Sequence, residues 1–110
     1  MRVKELAEEL RLDVVQSAGE DREVVTGYTS DLLSDVMANA AEGAVLITIQ
    51  AHKNTIAVAS LAGCPAIIVC NERPIPEDMI EAAENEEIAI YRSAENQFDI
   101  SGKAFSLLST

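Results

Sequence analysis

A chain of 110 residues, 48% of them hydrophobic and only 4% aromatic, can bury one core but not two, and that core must be aliphatic. Its formal net charge of −11 argues against nucleic acid and anionic membrane as partners, since both require clustered Lys and Arg. Cys64 and Cys70 lie about 20 Å apart on an extended segment and are not backed by His or Cys at metal-ligand spacing, so a disulfide between them, a zinc site and an iron–sulfur site are all unexpected.

Taken in order, Val3, Leu6, Ala7 and Leu10 recur at helical spacing and predict a short amphipathic helix over 3–10. Residues 12–15 read as a strand ended by the turn Gln16-Ser17-Ala18-Gly19. After the charged Glu20-Asp21-Arg22-Glu23, residues 24–26 read as a second strand that stops at Gly27. Ser30 is placed as a helix N-cap with Asp31 in the first turn. Leu32, Leu33, Val36, Met37 and Ala40 form that helix's apolar face, and Gly43 closes it.

Residues 44–49 are apolar without alternation, the pattern of a strand covered on both faces. They pass through a polar elbow, Gln50-Ala51-His52-Lys53-Asn54, into a helix over 54–62 rich in small residues. Residues 66–69 repeat the buried-strand pattern. Pro76 is expected at the first helical position, with Met79, Ile80 and Ala83 inward. Residues 88–91 form a last strand, and Ser93 is expected to cap a final helix with Phe98, Phe105 and Leu108 inward and Gly102 weakening its middle. The alternation predicts one α/β domain over residues 1–110, with a mostly parallel sheet of about five strands and helices on both faces.

The elbow is the leading site candidate. Gln50, His52, Lys53 and Asn54 offer amide, imidazole and ammonium donors beside a helix N-terminus, chemistry suited to an anionic or nucleotide ligand. The competing reading has Asn54 capping the helix and the rest solvated. Asp21-Arg22 and the turn carrying Gly27, Ser30 and Asp31 are further candidate ligand residues, with Gly27 expected to allow a positive φ or a close backbone approach. No GxxxxGK[ST] loop, GxSxG elbow or Cys–His spacing is present, so no catalytic residue is named.

These blocks together, Asp21-Arg22, Thr26-Gly27, Tyr28-Thr29-Ser30-Asp31-Leu32-Leu33-Ser34-Asp35-Val36-Met37 and Ile47-Thr48-Ile49-Gln50-Ala51-His52-Lys53-Asn54 with Ala57-Val58-Ala59-Ser60-Leu61, resemble a stand-alone DRTGG domain. Tyr28 stands where the family's second glycine is read. The resemblance implies a three-layer α/β/α fold similar to the N-terminal domain of HPr kinase/phosphorylase, without its kinase half. It also implies a regulatory or subunit-contact role, like that of DRTGG domains beside CBS domains in pyrophosphatases, and a setting near hydrogenase and electron-transfer genes.

The expectation is therefore a non-catalytic, cytoplasmic ligand-sensing module, a homodimer without cofactor or metal. One alternative is a docking subunit of an electron-transfer complex, using the acidic surface. The other is a small phosphotransferase or hydrolase centred on His52 with Asp31 or Asp21. Charges directly after Met1 and the lack of a long apolar run predict neither signal peptide nor membrane span.

Overall fold

The two runs without alternation, Ala44–Thr48 (β3) and Ala66–Val69 (β4), are buried at every position and pair in parallel within a five-stranded sheet. The computed structural model describes residues 1–109. Its other elements are α1 (Val3–Glu9), β1 (Asp13–Gln16), β2 (Thr26–Thr29), α2 (Leu33–Asn39), α3 (Lys53–Ala62), α4 (Glu77–Glu86), β5 (Ala89–Arg92) and α5 (Gln97–Leu108). The spatial order is β1-β5-β4-β3-β2. Strands β2 to β5 are parallel, and β1 closes one edge antiparallel to β5.

Because the parallel strands are buried on both faces, each face has its own core. Val36 of α2, Ile56 and Ala59 of α3, and Met79 and Ala83 of α4 pack on Leu46, Ile67 and Ile90. On the opposite face Val3 and Leu6 of α1 and Ile100 and Ala104 of α5 pack on Val45, Ile68 and Tyr91. The arrangement is the expected three-layer α/β/α sandwich. The crossovers from β2 to β5 place all their helices on one face. The chain then leaves β5, passes over the carboxyl ends of β4 and β3, and starts α5 on the other face. Along that passage Asn71 N–H donates to Glu95 O at 3.0 Å and Glu72 N–H to Ser93 O at 2.8 Å. This strap over the carboxyl edge is what positions the candidate site.

Several expectations are corrected. The second strand does not stop at Gly27 but begins at Thr26 and runs through it. Val24 N–H is taken by Met1 O and Val25 N–H by Gly43 O, so residues 24 and 25 lead into the sheet from the start of α1. Helix α2 is capped at Leu32 rather than Ser30, and only Val36 on it is fully buried, leaving Leu32 and Met37 exposed. Gly43, at φ 85°, does not close that helix, which ends at Asn39, but turns the chain into β3. Pro76 is the N-cap of α4 and not its first helical residue. Asn96, whose side chain accepts from Asp99 N–H at 2.9 Å, caps α5 in place of Ser93. Phe98 and Phe105 point outward, and Ile100 and Ala104 take the inward stripe. The β1 strand includes Gln16, a buried amide that donates to Ile88 O at 2.8 Å.

Candidate functional site

In a parallel sheet the side chains and free N–H groups just past the carboxyl ends of the strands converge on one edge. Here the convergence is organised by Asp31, two residues beyond β2. Its Oδ1 accepts hydrogen bonds from Thr48 Oγ1 at 2.9 Å, Ile49 N–H at 2.8 Å and Gln97 Nε2 at 3.0 Å. One carboxylate oxygen thus joins the ends of β2 and β3 to the first residue of α5. Ser30 contributes its Oγ to Leu32 N–H at 3.2 Å, a local turn that aims Asp31 inward before the helix begins. Thr48, fully buried, also takes Gln50 N–H at 3.0 Å through its hydroxyl, and Gln50 O accepts from Thr55 Oγ1 at 2.9 Å.

The elbow residues therefore separate by role. Gln50 sits at the rim, held through its backbone. His52 is the N-cap of α3, with Nδ1 accepting from Asn54 N–H at 3.2 Å, so it is His52 and not Asn54 that caps. His52 makes no hydrogen bond to Asp31 or Asp21. Lys53 turns away toward a groove of about 320 Å³ between α3 and α4, whose floor is Ile56 and Ala82 and whose walls carry Asp78, Glu81 and Glu86. The Asn54 side chain is exposed.

Asp21 and Arg22 are not part of this edge. Arg22 donates to Glu87 O at 2.9 Å, just ahead of β5, and Arg2 donates to Asp21 O at 2.7 Å. Both contacts lie at the amino ends of the strands, across the sheet from Asp31. The two residues have different partners: the Arg22 guanidinium binds the Glu87 carbonyl, and the main-chain carbonyl of Asp21 binds the Arg2 guanidinium. Gly27 lies mid-strand opposite Val45, without positive φ, and a Cβ there would stand in ordinary contact with Val45 Cγ1 at 3.5 Å, Val45 O at 3.7 Å and Ile47 Cδ1 at 4.0 Å. Its expected conformational role is not found.

Gln97, Thr48 and the strap residues Ser93 and Glu95 belong to the edge but were not among the sequence candidates. An Asn96-Gln97 pair opening a helix was the available signal for Gln97. Beneath the rim, burial together with nearby Asp31 and Glu95 pushes the Cys70 thiol up to about 11, so it stays neutral and a poor nucleophile. On the outer side of β2, Tyr28 Oη donates to Asp35 Oδ2 at 2.8 Å. Hydrogen bonds from Ser30, Asn39 and Tyr28 hold the Asp35 carboxyl below its ordinary range, and the same bond raises the Tyr28 phenol. Among the described residues, no group of three or more His, Cys, Asp or Glu is placed to hold a metal ion, and no helix is long and apolar enough to cross a membrane.

Fold and edge together define a three-layer α/β domain whose sheet carboxyl edge is strapped and cross-linked rather than open. No protein-family model and no curated protein matches the chain. Among solved structures it is similar to the CBS and DRTGG domains of the regulatory region of Clostridium perfringens pyrophosphatase, a structure complexed with the activator diadenosine tetraphosphate. The TM-score is 0.72 at 17% identity, over 94% of this chain and 45% of that one. The likeness is one of fold, and the chain spans less than half the length of that regulatory region.

Proposed function

We propose that this chain is a DRTGG-type regulatory module that senses a small anionic ligand of the nucleotide class, works as a homodimer, and performs no chemistry itself. The observation that carries this reading is the Asp31 cross-link. A carboxylate oxygen already holding three donors is a structural joint, and what it joins is the ligand-facing edge to a helix of the opposite layer. A ligand competing for Gln97 or for the N–H groups at this edge would move α5 relative to β2. The use of His52 as a helix cap, and the neutral Cys70, support a sensing role over a catalytic one. The regulatory pyrophosphatase region that shares this fold over 45% of its length was solved in complex with a dinucleoside polyphosphate, which supports the choice of ligand class. The likeness to the HPr kinase N-terminal domain and the link to hydrogenase metabolism in the cytoplasm belong to the same proposal.

The test is a thermal-shift series with AMP, ATP, diadenosine tetraphosphate and inorganic phosphate. A ligand bound only by the native state must raise the melting temperature, by an amount that grows with its concentration. A rise that is lost in Gln97→Ala supports the rim. No rise with any of the four at millimolar concentration overturns the nucleotide reading.

One observation favours a second reading, docking on a basic partner protein. Glu77, Asp78, Glu81, Glu84 and Glu86 crowd α4 and its flank without a single Lys or Arg on that helix. Binding of that kind weakens steeply as salt is raised.

A further inference from the structure

We propose that the free edge of β2 and the flank of α5 beside it are where a second copy of this chain docks, strand against antiparallel strand about a two-fold axis. This deepens the homodimer part of the function proposed above and rests on it. The starting observation is that the chain's two phenylalanines are both outside. Phe98 is 85% exposed and Phe105 73% exposed. Seven residues apart, they project from the same side of α5. Gly102 lies between them, with nothing within 4 Å of where its Cβ would be.

Their flank can be placed. Ile100 and Ala104 point into the core, and the Ser101 hydroxyl meets Thr29 Oγ1 of the edge strand at 2.7 Å. At about 100° per residue, Phe98 and Phe105 fall roughly 40–60° beyond Ser101, on the side away from the core stripe. They therefore overhang the outer side of β2. Beneath them the strand is low, because Gly27 on that face has no side chain and Val45 and Ile47 are its neighbours.

The two sheet edges differ in how they are protected. At β1 the pairing slips between Val14 and Gln16, and Asp13 stands at the strand start, devices that discourage further pairing. Strand β2 has no bulge, proline or charge, and residues 24–30 are uncharged throughout. Two copies each carrying −11 repel, so contact is favoured only where neither presents acid. The β2 edge with the Phe98–Gly102–Phe105 stripe comes nearest to such a surface, the neighbouring Asp35 carboxylate being held by Tyr28 and Asn39 on the α2 side. It is also self-complementary, because a two-fold axis between Phe98 and Phe105 brings each beside the other's counterpart. At about 150–250 Å² per aromatic side chain, the two rings from each copy supply several hundred Å². The ladder and its flanking residues add toward the roughly 1,200 Å² of a specific interface.

The test is sedimentation of the 110-residue chain at micromolar concentration, beside the double variant Phe98→Ser/Phe105→Ser and the control Leu61→Ser, which alters an equally exposed apolar residue on α3. The expected result is twice the 11.8 kDa chain mass for wild type and control, and a dimer weakened by at least about 100-fold in the double variant. A dimer unaffected by the double variant overturns this surface and leaves the homodimer standing. A monomeric wild type overturns both. Amide exchange gives a readout that needs no variant. Slow exchange at residues 26–29 that becomes faster on dilution supports the pairing, and fast exchange at all concentrations overturns it.

Discussion

Gln97 reaches back across 66 positions of chain to donate a 3.0 Å hydrogen bond to Asp31. That contact ties the last helix to the end of the first parallel strand, beside the 2.7 Å contact of Ser101 with Thr29. Removing the acceptor should be felt widely. Asp31→Ala leaves the buried Thr48 hydroxyl and the Ile49 N–H without their partner, and is expected to cost about 2–4 kcal/mol. Asp31→Asn keeps an acceptor oxygen in place and should cost about half as much. Urea unfolding followed by circular dichroism measures both, and equal losses would show that a neutral acceptor cannot replace the carboxylate and that the cross-link depends on its charge.

The His52 cap predicts a small, chemically selective effect. His52→Ala should destabilise by about 1 kcal/mol, whereas His52→Asp or His52→Ser, both good caps, should be near neutral. A large loss in the Asp and Ser variants alike would mean that the imidazole does more than satisfy Asn54 N–H.

Two glycines should respond to alanine with opposite sign. Gly19 has φ +91°, and a Cβ there would stand 2.1 Å from Glu87 O, a carbonyl that also accepts from Arg22. Gly19→Ala must push backbone aside and is expected to cost roughly 2–4 kcal/mol. Gly102 is helical with open space around it, so Gly102→Ala should stabilise by up to about 1 kcal/mol. Midpoints of chemical unfolding at a concentration low enough to hold the chain monomeric settle both signs.

Alkaline pH should erode stability through three buried acids, the first of them the Cys64 thiol, which burial raises. Cys70 is raised from its ordinary 9.0 to about 11 by burial, Asp31 and Glu95. Burial and the 2.6 Å hydrogen bond to Glu20 raise the Tyr91 phenol further still. All three groups keep their protons longer when folded than when unfolded. Their stabilisation is therefore complete below the unfolded pKa values and is lost as pH climbs from about 9. The slope of stability against pH should turn negative there, and Cys70→Ala should reduce the earlier part of the fall, Cys64 supplying the remainder. A flat profile to pH 10 would contradict the assignment.

Much of the architecture was legible in residue order because it depends on local pattern. The unbroken apolar runs in β3 and β4 fit strands covered on both faces, and helical spacing of apolar residues marks the elements around them, although the capping residues lay elsewhere than expected. Hence the element order and the two-sided sheet could be read directly. Chain order could not show which polar group meets which. Whether Asp31 enters a helix or a cross-link depends on Thr48 and Gln97, which the sheet and the strap deliver from far along the chain. Asp21 and Arg22 looked like companions of the elbow until the sheet placed them at its opposite end. The outward turn of Phe98 and Phe105 was likewise decided by tertiary packing. Ile100 and Ala104 fit the narrow space over β2 and β3, leaving the larger rings on the flank, because helical periodicity defines stripes but only the surface beneath selects the one that is buried.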